Sequence, residues 1–416
     1  MNNCLILITN SYPYSSEEAF LEPELPYLAE KFKKIIIFAI GLGKGAEQTR
    51  TITGNTDCYN VMAHSKRVSR VLSLVTGAVR SLLPPDKDAD PEVKGDFKKR
   101  VFYEYFRARG EREYAQCEKF LDKYDFSEFD SVTVYSYWFF ATALVATKIQ
   151  DYLKPCCKKV RLISRAHRYD IYEYANSLKY LPMRRYLLDR FDKIYPCSID
   201  GEKYILEKYP EYKDKVKHRY LGTDDCGVSQ MNDDCFHIVS CSRMVGIKRV
   251  ERIATALSLL AGDNTIRLKW THIGDGETME KVKSICEEKL RFMDVNLVGL
   301  IPNTQVQNFY KNENVDLFIN VSTTEGLPVS IMEALSYSVP VIATDVGGTG
   351  EIVKDGYNGI LISSDFTDEE LAGYIQKIVF QDKAQRQQIR SNARQSWKDN
   401  FNSEENLRKF AENLVI

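Results

Sequence analysis

Short runs of β-branched and other apolar residues alternate along this chain with longer stretches whose apolar positions recur every three to four residues. The runs predict strands at Cys4–Thr9, Lys34–Ile40, Ser131–Ser136, Val160–Ser164 and Lys193–Cys197 in the first half. In the second half they predict strands at His237–Ser242, Ile266–Ile273, Val295–Leu300, Leu317–Val321, Val339–Thr344 and Gly359–Ile362, with helices such as Val250–Ala261 and Thr278–Lys289 between them. Strands apolar on both faces and joined by helices belong to parallel sheets covered on both sides, so the fold class is α/β. Gly, Asp, Ser and Asn crowd into LGTDDCGVSQMNDD, Leu221–Asp234, which reads as the join between two successive units. On this reading one domain covers residues 1–222 and a second covers 223–396. A charged amphipathic helix follows over 397–416; its Phe401, Leu407 and Phe410 are available to pack, and it can cross back to the first domain. Open sheets of this kind bind ligands beyond the carboxyl ends of their strands, and two of them facing each other would make a cleft.

Composition narrows the class further. A chain of 416 residues exceeds what one hydrophobic core usually organises, and a formal charge of −1 gives no ground for a nucleic-acid partner. Ten cysteines are scattered without a C-x-x-C pair, which fits a reduced, cytoplasmic chain. The opening MNNCLILITNSYPY is too short in apolar residues for a signal-peptide core, and no later run spans a bilayer, so any membrane contact is from the surface, at its inner face. One segment breaks the alternation. His64–Lys119 holds thirteen basic against nine acidic residues and is divided by Pro84-Pro85. Within it, residues 65–83 (SKRVSRVLSLVTGAVRSLL) set Lys66, Arg67 and Arg70 beside Val71, Leu72, Leu74, Val75, Val79 and Leu82. Two readings stay open: a helix packed on its own domain with charges outward, or a basic, apolar-faced helix lying peripherally on an anionic membrane.

Chemistry concentrates at the strand ends of the second half. TTEGLPVSIMEAL, residues 323–335, places Glu325 in the turn after a strand, Pro328 in the first turn of a helix, and Glu333 further along that helix. The amides around Gly326, Leu327 and Val329 would be open donors there, while the two carboxylates suit vicinal hydroxyls, as on a sugar or a ribose. Two glutamates eight apart are common on surface helices; their company is what distinguishes these. CSRMVGIKRVERI follows a strand and carries Arg243 and Lys248, two fixed cations of the kind a diphosphate leaving group requires. IGDGE supplies Gly274 and Gly276, whose missing side chains would let the backbone approach a ligand. VGLIP, with Leu300 and Ile301, and DVGGTGE repeat the arrangement of strand, glycine and turn.

Taken in this order, these motifs resemble the donor domain of the GT-B glycosyltransferases, specifically the retaining family numbered four, strongly over His237–Ile362. SRAHRYDIY (Ser164–Tyr172), YSYW (Tyr135–Trp138) and YLGTD (Tyr220–Asp224) resemble the family's acceptor domain less sharply. The resemblance implies two Rossmann-like domains whose parallel sheets face across a cleft. It implies a sugar moved from a nucleotide-diphosphate donor (a UDP- or GDP-sugar) to a hydroxyl of a glycan or lipid-linked glycan, with retention, in surface polysaccharide biosynthesis. It assigns Glu325 to donor-sugar hydroxyls, Glu333 to the ribose, Arg243 and Lys248 to the diphosphate, Gly326 and Leu327 to sugar or phosphate oxygens, and Leu300–Ile301 to the base. His167 matches the cleft histidine that contacts the donor sugar near the reacting carbon, and Asp170 either orients it or caps the next helix. Where many members carry a Gly-Gly pair in the first loop, this chain has Ser15-Ser16; Glu18 there either recognises the acceptor or sits in a solvated loop. Arg249 stands where many members have glycine, and Gly350 where many have proline. The one Asp-x-Asp spacing, in DKDAD (Asp86–Asp90), lies far from any strand, so neither a metal nor another cofactor is expected. Two rival readings on the same fold are a nucleotide-sugar 2-epimerase, which needs no acceptor, and a non-catalytic sugar-nucleotide binder. The sequence leaves the oligomeric state open.

Overall fold

The structure, a computed structural model, describes residues 2–415 apart from 63, 86–88, 232–234 and 263–265. It contains two compact units, Met1–Arg219 with Leu407–Ile416, and Tyr220–Asn406.

The first unit is built on strands β1 (Asn3–Thr9), β2 (Lys34–Ala39), β3 (Thr56–Asn60), β4 (Ser131–Ser136), β5 (Val160–Ala166) and β6 (Lys193–Pro196). They pair in parallel in the order β3-β2-β1-β4-β5-β6. Its helices are α1 (Leu21–Lys31), α2 (Lys66–Arg80), α3 (Phe97–Leu121), α4 (Ala141–Leu153), α5 (Arg168–Ile171), α6 (Arg184–Arg190) and α7 (Ile199–Lys208). Successive side chains of a strand point to opposite faces, and β1 shows the result. Cys4, Ile6 and Ile8 join a core with Phe106 of α3 and Leu144 and Ile149 of α4, while Leu5 and Leu7 join one with Leu25 and Leu28 of α1.

The second unit holds β7 (Phe236–Cys241), α8 (Val250–Ser258), β8 (Leu268–Ile273), α9 (Met279–Lys289), β9 (Asp294–Gly299), α10 (Asn303–Asn312), β10 (Leu317–Asn320), α11 (Val329–Ser336), β11 (Val341–Thr344), α12 (Thr349–Ile352), β12 (Gly359–Ile362), α13 (Asp368–Val379) and α14 (Lys383–Asn400). Its parallel sheet runs β12-β11-β10-β7-β8-β9. In both sheets two central neighbours, β1 and β4 or β7 and β10, lead into crossovers that run in opposite directions. That reversal opens a crevice at their carboxyl ends.

Three expectations are corrected. β3 was not among the expected strands. The segment 397–416 is not one helix: α14 ends at Asn400 and α15 (Ser403–Leu414) begins after a break at Phe401–Asn402. Phe401 packs in a core of the second unit, and Phe410 in a core of the first. Finally, α2 does not pack on its unit with its apolar side. It lies on α3 through Ser73 and Gly77, the buried residues of the helix, and leaves its valines and leucines exposed.

Candidate functional site

At the crevice of the second sheet, the loop after β7 carries Arg243 and Lys248, and the turn after β10 carries Glu325. Lys248 Nζ donates to Glu325 Oε1 at 2.6 Å, and Asn320 Nδ2, at the end of β10, donates to the same oxygen at 3.2 Å. Glu325 is buried and Lys248 half-buried, whereas Arg243 is exposed and bonds no carboxylate among the described residues. One carboxylate and two cations thus share one strand-end region. Among the described residues, the amides of Gly326, Leu327 and Val329 donate to no protein group, so they stand as open donors at the start of α11. Pro328 is the residue immediately before that helix rather than in its first turn, as expected from sequence.

Arg249 explains why a glycine is at home beside Lys248. It adopts φ +51°, in the left-handed region, and its guanidinium bonds the carbonyls of Val321 at 2.6 Å, Ser364 at 2.8 Å and Ser322 at 3.2 Å. The side chain ties the Lys248 loop to the end of β10. The glycines of IGDGE are required first by packing within the protein. A Cβ on Gly274 would lie 1.9 Å from the Ser242 carbonyl oxygen, and one on Gly276 2.4 Å from that of Met244. Both glycines permit close packing of the loop after β8 on the loop that holds Arg243, which Met244 N reinforces by donating to Asp275 O at 2.9 Å. Gly347 has the same task toward the other wall, where its Cβ would meet the Glu325 carbonyl at 2.1 Å.

Glu333 sits on α11 and does not bond Glu325. Its Oε1 accepts from Asn303 Nδ2 at 2.7 Å, and burial raises its carboxyl above the usual range against that bond. Leu300 is exposed just past β9 and Ile301 is half-buried. Asn320, Asn303 and Arg249 are the partners that sequence reasoning missed. Asn320 could have been found, since it is the polar residue ending an otherwise apolar strand, LFIN.

Three expected residues lie in the first unit, His167 and Asp170 after β5 and Glu18 in the loop after β1. His167 follows β5, packed against Tyr137 and Trp138 with ring centroids 4.8 and 4.5 Å away. Burial, helped by the Arg165 charge, pushes its pKa down to about 3, so the ring is neutral. Nε2 then donates to the Tyr137 carbonyl at 3.1 Å, and Nδ1 accepts from the Cys197 thiol at 3.3 Å. Asp170 does not touch the ring. Fully buried, its carboxylate accepts the backbone N–H groups of His167 and Phe139, so it caps α5 and does not face an acceptor. Desolvation pushes its pKa up to about 7. Glu18 is neither solvated nor free: it accepts the amides of Asn10 at 2.9 Å and of Ser11 and Tyr12 at 2.8 Å, and the Trp138 indole N–H at 2.5 Å. The first loop, which lacks glycines, holds its own carboxylate in a nest of amides.

Of the DKDAD segment, Asp86 and Asp88 lie outside the described residues, while Asp90 accepts from the Tyr180 hydroxyl and from Met183 N at 2.7 Å. Among the described residues no group of three or more His, Cys, Asp or Glu stands together as metal donors, and no helix is long and apolar enough to cross a membrane.

Residues 227–396 match the family model described as glycosyl transferases group 1. The O-antigen biosynthesis glycosyltransferase WbnH of Escherichia coli is 28% identical over 202 residues, 47% of this chain and 53% of that protein. The chain thus spans about half the length of the curated relatives it matches. Solved structures match nearly end to end. The lipopolysaccharide outer core galactosyltransferase WaaB, in its apo form, superposes with TM-score 0.66 at 14% identity, covering 99% of this chain and 98% of that one. Anabaena Alr3699/HepE in complex with UDP and glucose gives 0.62 at 16% identity, covering 99% and 98%. Residues 227–396 thus match the family of glycosyl transferases group 1, and the chain as a whole has the GT-B fold.

Proposed function

We propose that this protein is a metal-independent, retaining glycosyltransferase that moves a sugar from a nucleotide-diphosphate donor, a UDP-sugar in the first instance, to a hydroxyl of a glycan or lipid-linked glycan. The observation that carries the reading is the cluster of Arg243, Lys248 and Glu325 at the crevice of the second sheet, with the open amides of Gly326, Leu327 and Val329 beside it. Cations at that place neutralise the charge that grows on the diphosphate as the bond to the anomeric carbon breaks, the kind of electrostatic help that commonly dominates catalysis. A donor diphosphate competes for Lys248 while the sugar's hydroxyls take up Glu325. The acceptor hydroxyl attacks the anomeric carbon on the face the diphosphate leaves, and its proton passes to the departing phosphate oxygen, which preserves configuration. Glu333 and Asn303 accept and position the ribose, and Leu300 and Ile301 cover the base. His167, neutral and with both ring nitrogens engaged, contributes shape rather than proton transfer.

WbnH, an O-antigen enzyme, and WaaB, a lipopolysaccharide galactosyltransferase, support a glycan acceptor in surface polysaccharide assembly; UDP and glucose in HepE support the donor. The test is to incubate the protein with UDP- and GDP-sugars, with and without a glycan acceptor. Acceptor-dependent release of nucleoside diphosphate, unchanged by chelator, with the donor's anomeric configuration kept in the product by NMR, is the expected result. An epimerised nucleotide sugar formed without acceptor, or binding without turnover, refutes it.

A further inference from the structure

Helix α2 is oriented against the usual rule for a surface helix. At about 100° per residue, Val68, Val71, Leu72, Val75 and Val79 fall on one side within an arc of roughly 100°, continued past the helix by Leu82. All are exposed, Val71 by 57%, Val79 by 61% and Leu82 by 76%. The opposite side is the one fixed to the protein. Arg112 of α3 donates to the Ser69 carbonyl at 2.9 Å and to Ser73 Oγ at 2.8 Å. Gly77 lies so close to α3 that a Cβ would come within 2.5 Å of Tyr105 N. The helix therefore cannot roll its apolar side inward without breaking the Arg112 bonds and lifting off α3.

The charges around that face have one sign. No acidic residue occurs between His64 and Pro85, and Lys66, Arg67 and Arg70 crowd the first turns. None of the three pairs with a carboxylate among the described residues; Arg80, at the far end, pairs with Glu111 at 2.8 Å. Lys66 and Arg70 also line two adjoining cavities of the first unit, of about 230 and 320 Å³, together with Arg109. A second copy of the chain seated on this face would present its own α2, which has no acidic residue from His64 to Pro85 to answer these cations. An anionic lipid surface meets both properties at once, offering acyl chains to the valines and leucines and phosphates to the cations.

We propose that α2 docks the first unit on the surface of a bilayer that contains anionic lipid, its apolar side in the interface and Arg67, which flanks that side, at the level of the phosphates, while Lys66 and Arg70 on the α3 side add to the positive field. The contact is independent of the transfer reaction, so it stands or falls by lipid binding alone. The test is co-sedimentation of the full chain with vesicles of phosphatidylcholine and phosphatidylglycerol in equal parts, against phosphatidylcholine alone. The protein pellets with the mixed vesicles and not with the neutral ones, and pelleting weakens as salt is raised. Arg67→Ala lowers the partition coefficient about fivefold, and the double variant Val71→Glu/Val75→Glu abolishes pelleting while keeping the wild-type Tm. As a check that does not depend on the double variant folding, the fluorescence of Val75→Trp is quenched by brominated phosphatidylglycerol. No pelleting with the mixed vesicles, equal pelleting with both kinds, or an unquenched tryptophan overturns the proposal. So does a dimer, seen by light scattering, that Val75→Glu splits in a protein that ignores vesicles.

Discussion

Lys248 and Glu325 hold each other at 2.6 Å, a pairing that the proposed donor would have to exchange for its own groups. Removing either one leaves its partner unpaired in a partly buried place, and the two losses overlap. Lys248→Ala and Glu325→Gln are each expected to lower kcat by about 10²–10³. The double variant should lose less than the product of the two, with a coupling of about 0.5–3 kcal/mol in a double-mutant cycle. Arg243 bonds no carboxylate among the described residues, and Arg243→Ala should be additive with either. Steady-state kinetics on the three single and three double variants checks all three statements.

The buried His237, His272 and Asp170, with the half-buried His167, carry large shifts that bear on stability at acid pH. His167 falls to about 3, and His237 and His272 to about 4, all chiefly through burial and all below the ordinary 6.5. As pH drops through 6.5 the unfolded chain takes these protons first, so stability is lost progressively between 6.5 and about 4. Asp170, raised from 3.8 to about 7 by desolvation, has the opposite sign: its contribution is present below 3.8 and is lost as pH rises toward 7. Where the windows overlap the histidines prevail, each proton carrying at most about 1.4 kcal/mol per pH unit. Urea midpoints are expected to rise from pH 4.5 to 6, and more steeply in Asp170→Asn than in wild type; a flat or falling profile contradicts the neutral histidines.

At the scale of elements, the loops that form the second-unit site are held by backbone against backbone, which is why glycines recur at its strand ends. Gly274→Ala puts a methyl group 1.9 Å from the Ser242 carbonyl at φ +142°. It is expected to cost about 1–3 kcal/mol and to reduce turnover by shifting the Arg243 loop, measurable by chemical denaturation beside activity. Arg249, at φ +51°, gives the complementary case: Arg249→Ala keeps the strain and loses the carbonyl bonds, so Arg249→Gly should be the more stable of the two by about 1–2 kcal/mol.

The same contrast explains what could be read from the sequence. Ser131–Ser136 and Gly359–Ile362 were legible to the residue from their β-branched and aliphatic positions. TDCYN of β3 was not, since it carries no such run and most of its residues are only half-buried. Periodicity marked α2 as amphipathic but could not say which side faces the protein, because that was decided by Ser73, Gly77 and Arg112 across the interface. For the site, charged residues at strand ends were visible, whereas the purpose of Gly274, Glu18 and Asp170 depended on which backbone each one meets.

For the molecule as a whole, one ion pair is buried outright, in the first unit and two residues from His167. Arg165 and Glu24 pair at 2.9 Å with no exposure of either side chain, the guanidinium bonds the Tyr135 hydroxyl at 3.0 Å, and its carbon lies 3.6 Å from the centre of the Phe410 ring. Sheet, α1 and the C-terminal α15 all close on this one cation. Glu24→Ala strands it and is expected to destabilise the first unit by about 3–5 kcal/mol, seen as an earlier transition in calorimetry. Phe410→Ala removes the ring from the same place and should lower the same transition.

That arrangement has a consequence for how the protein is made. The first unit ends at Arg219, yet part of its core, Phe410, Ala411 and Leu414, is supplied by the last ten residues, Leu407–Ile416. At roughly 5–20 residues per second the intervening chain takes on the order of ten to forty seconds to synthesise. During that interval Arg165 and its hydrophobic surroundings wait without their cover, so the half of the protein that emerges first from the ribosome is the last to be finished.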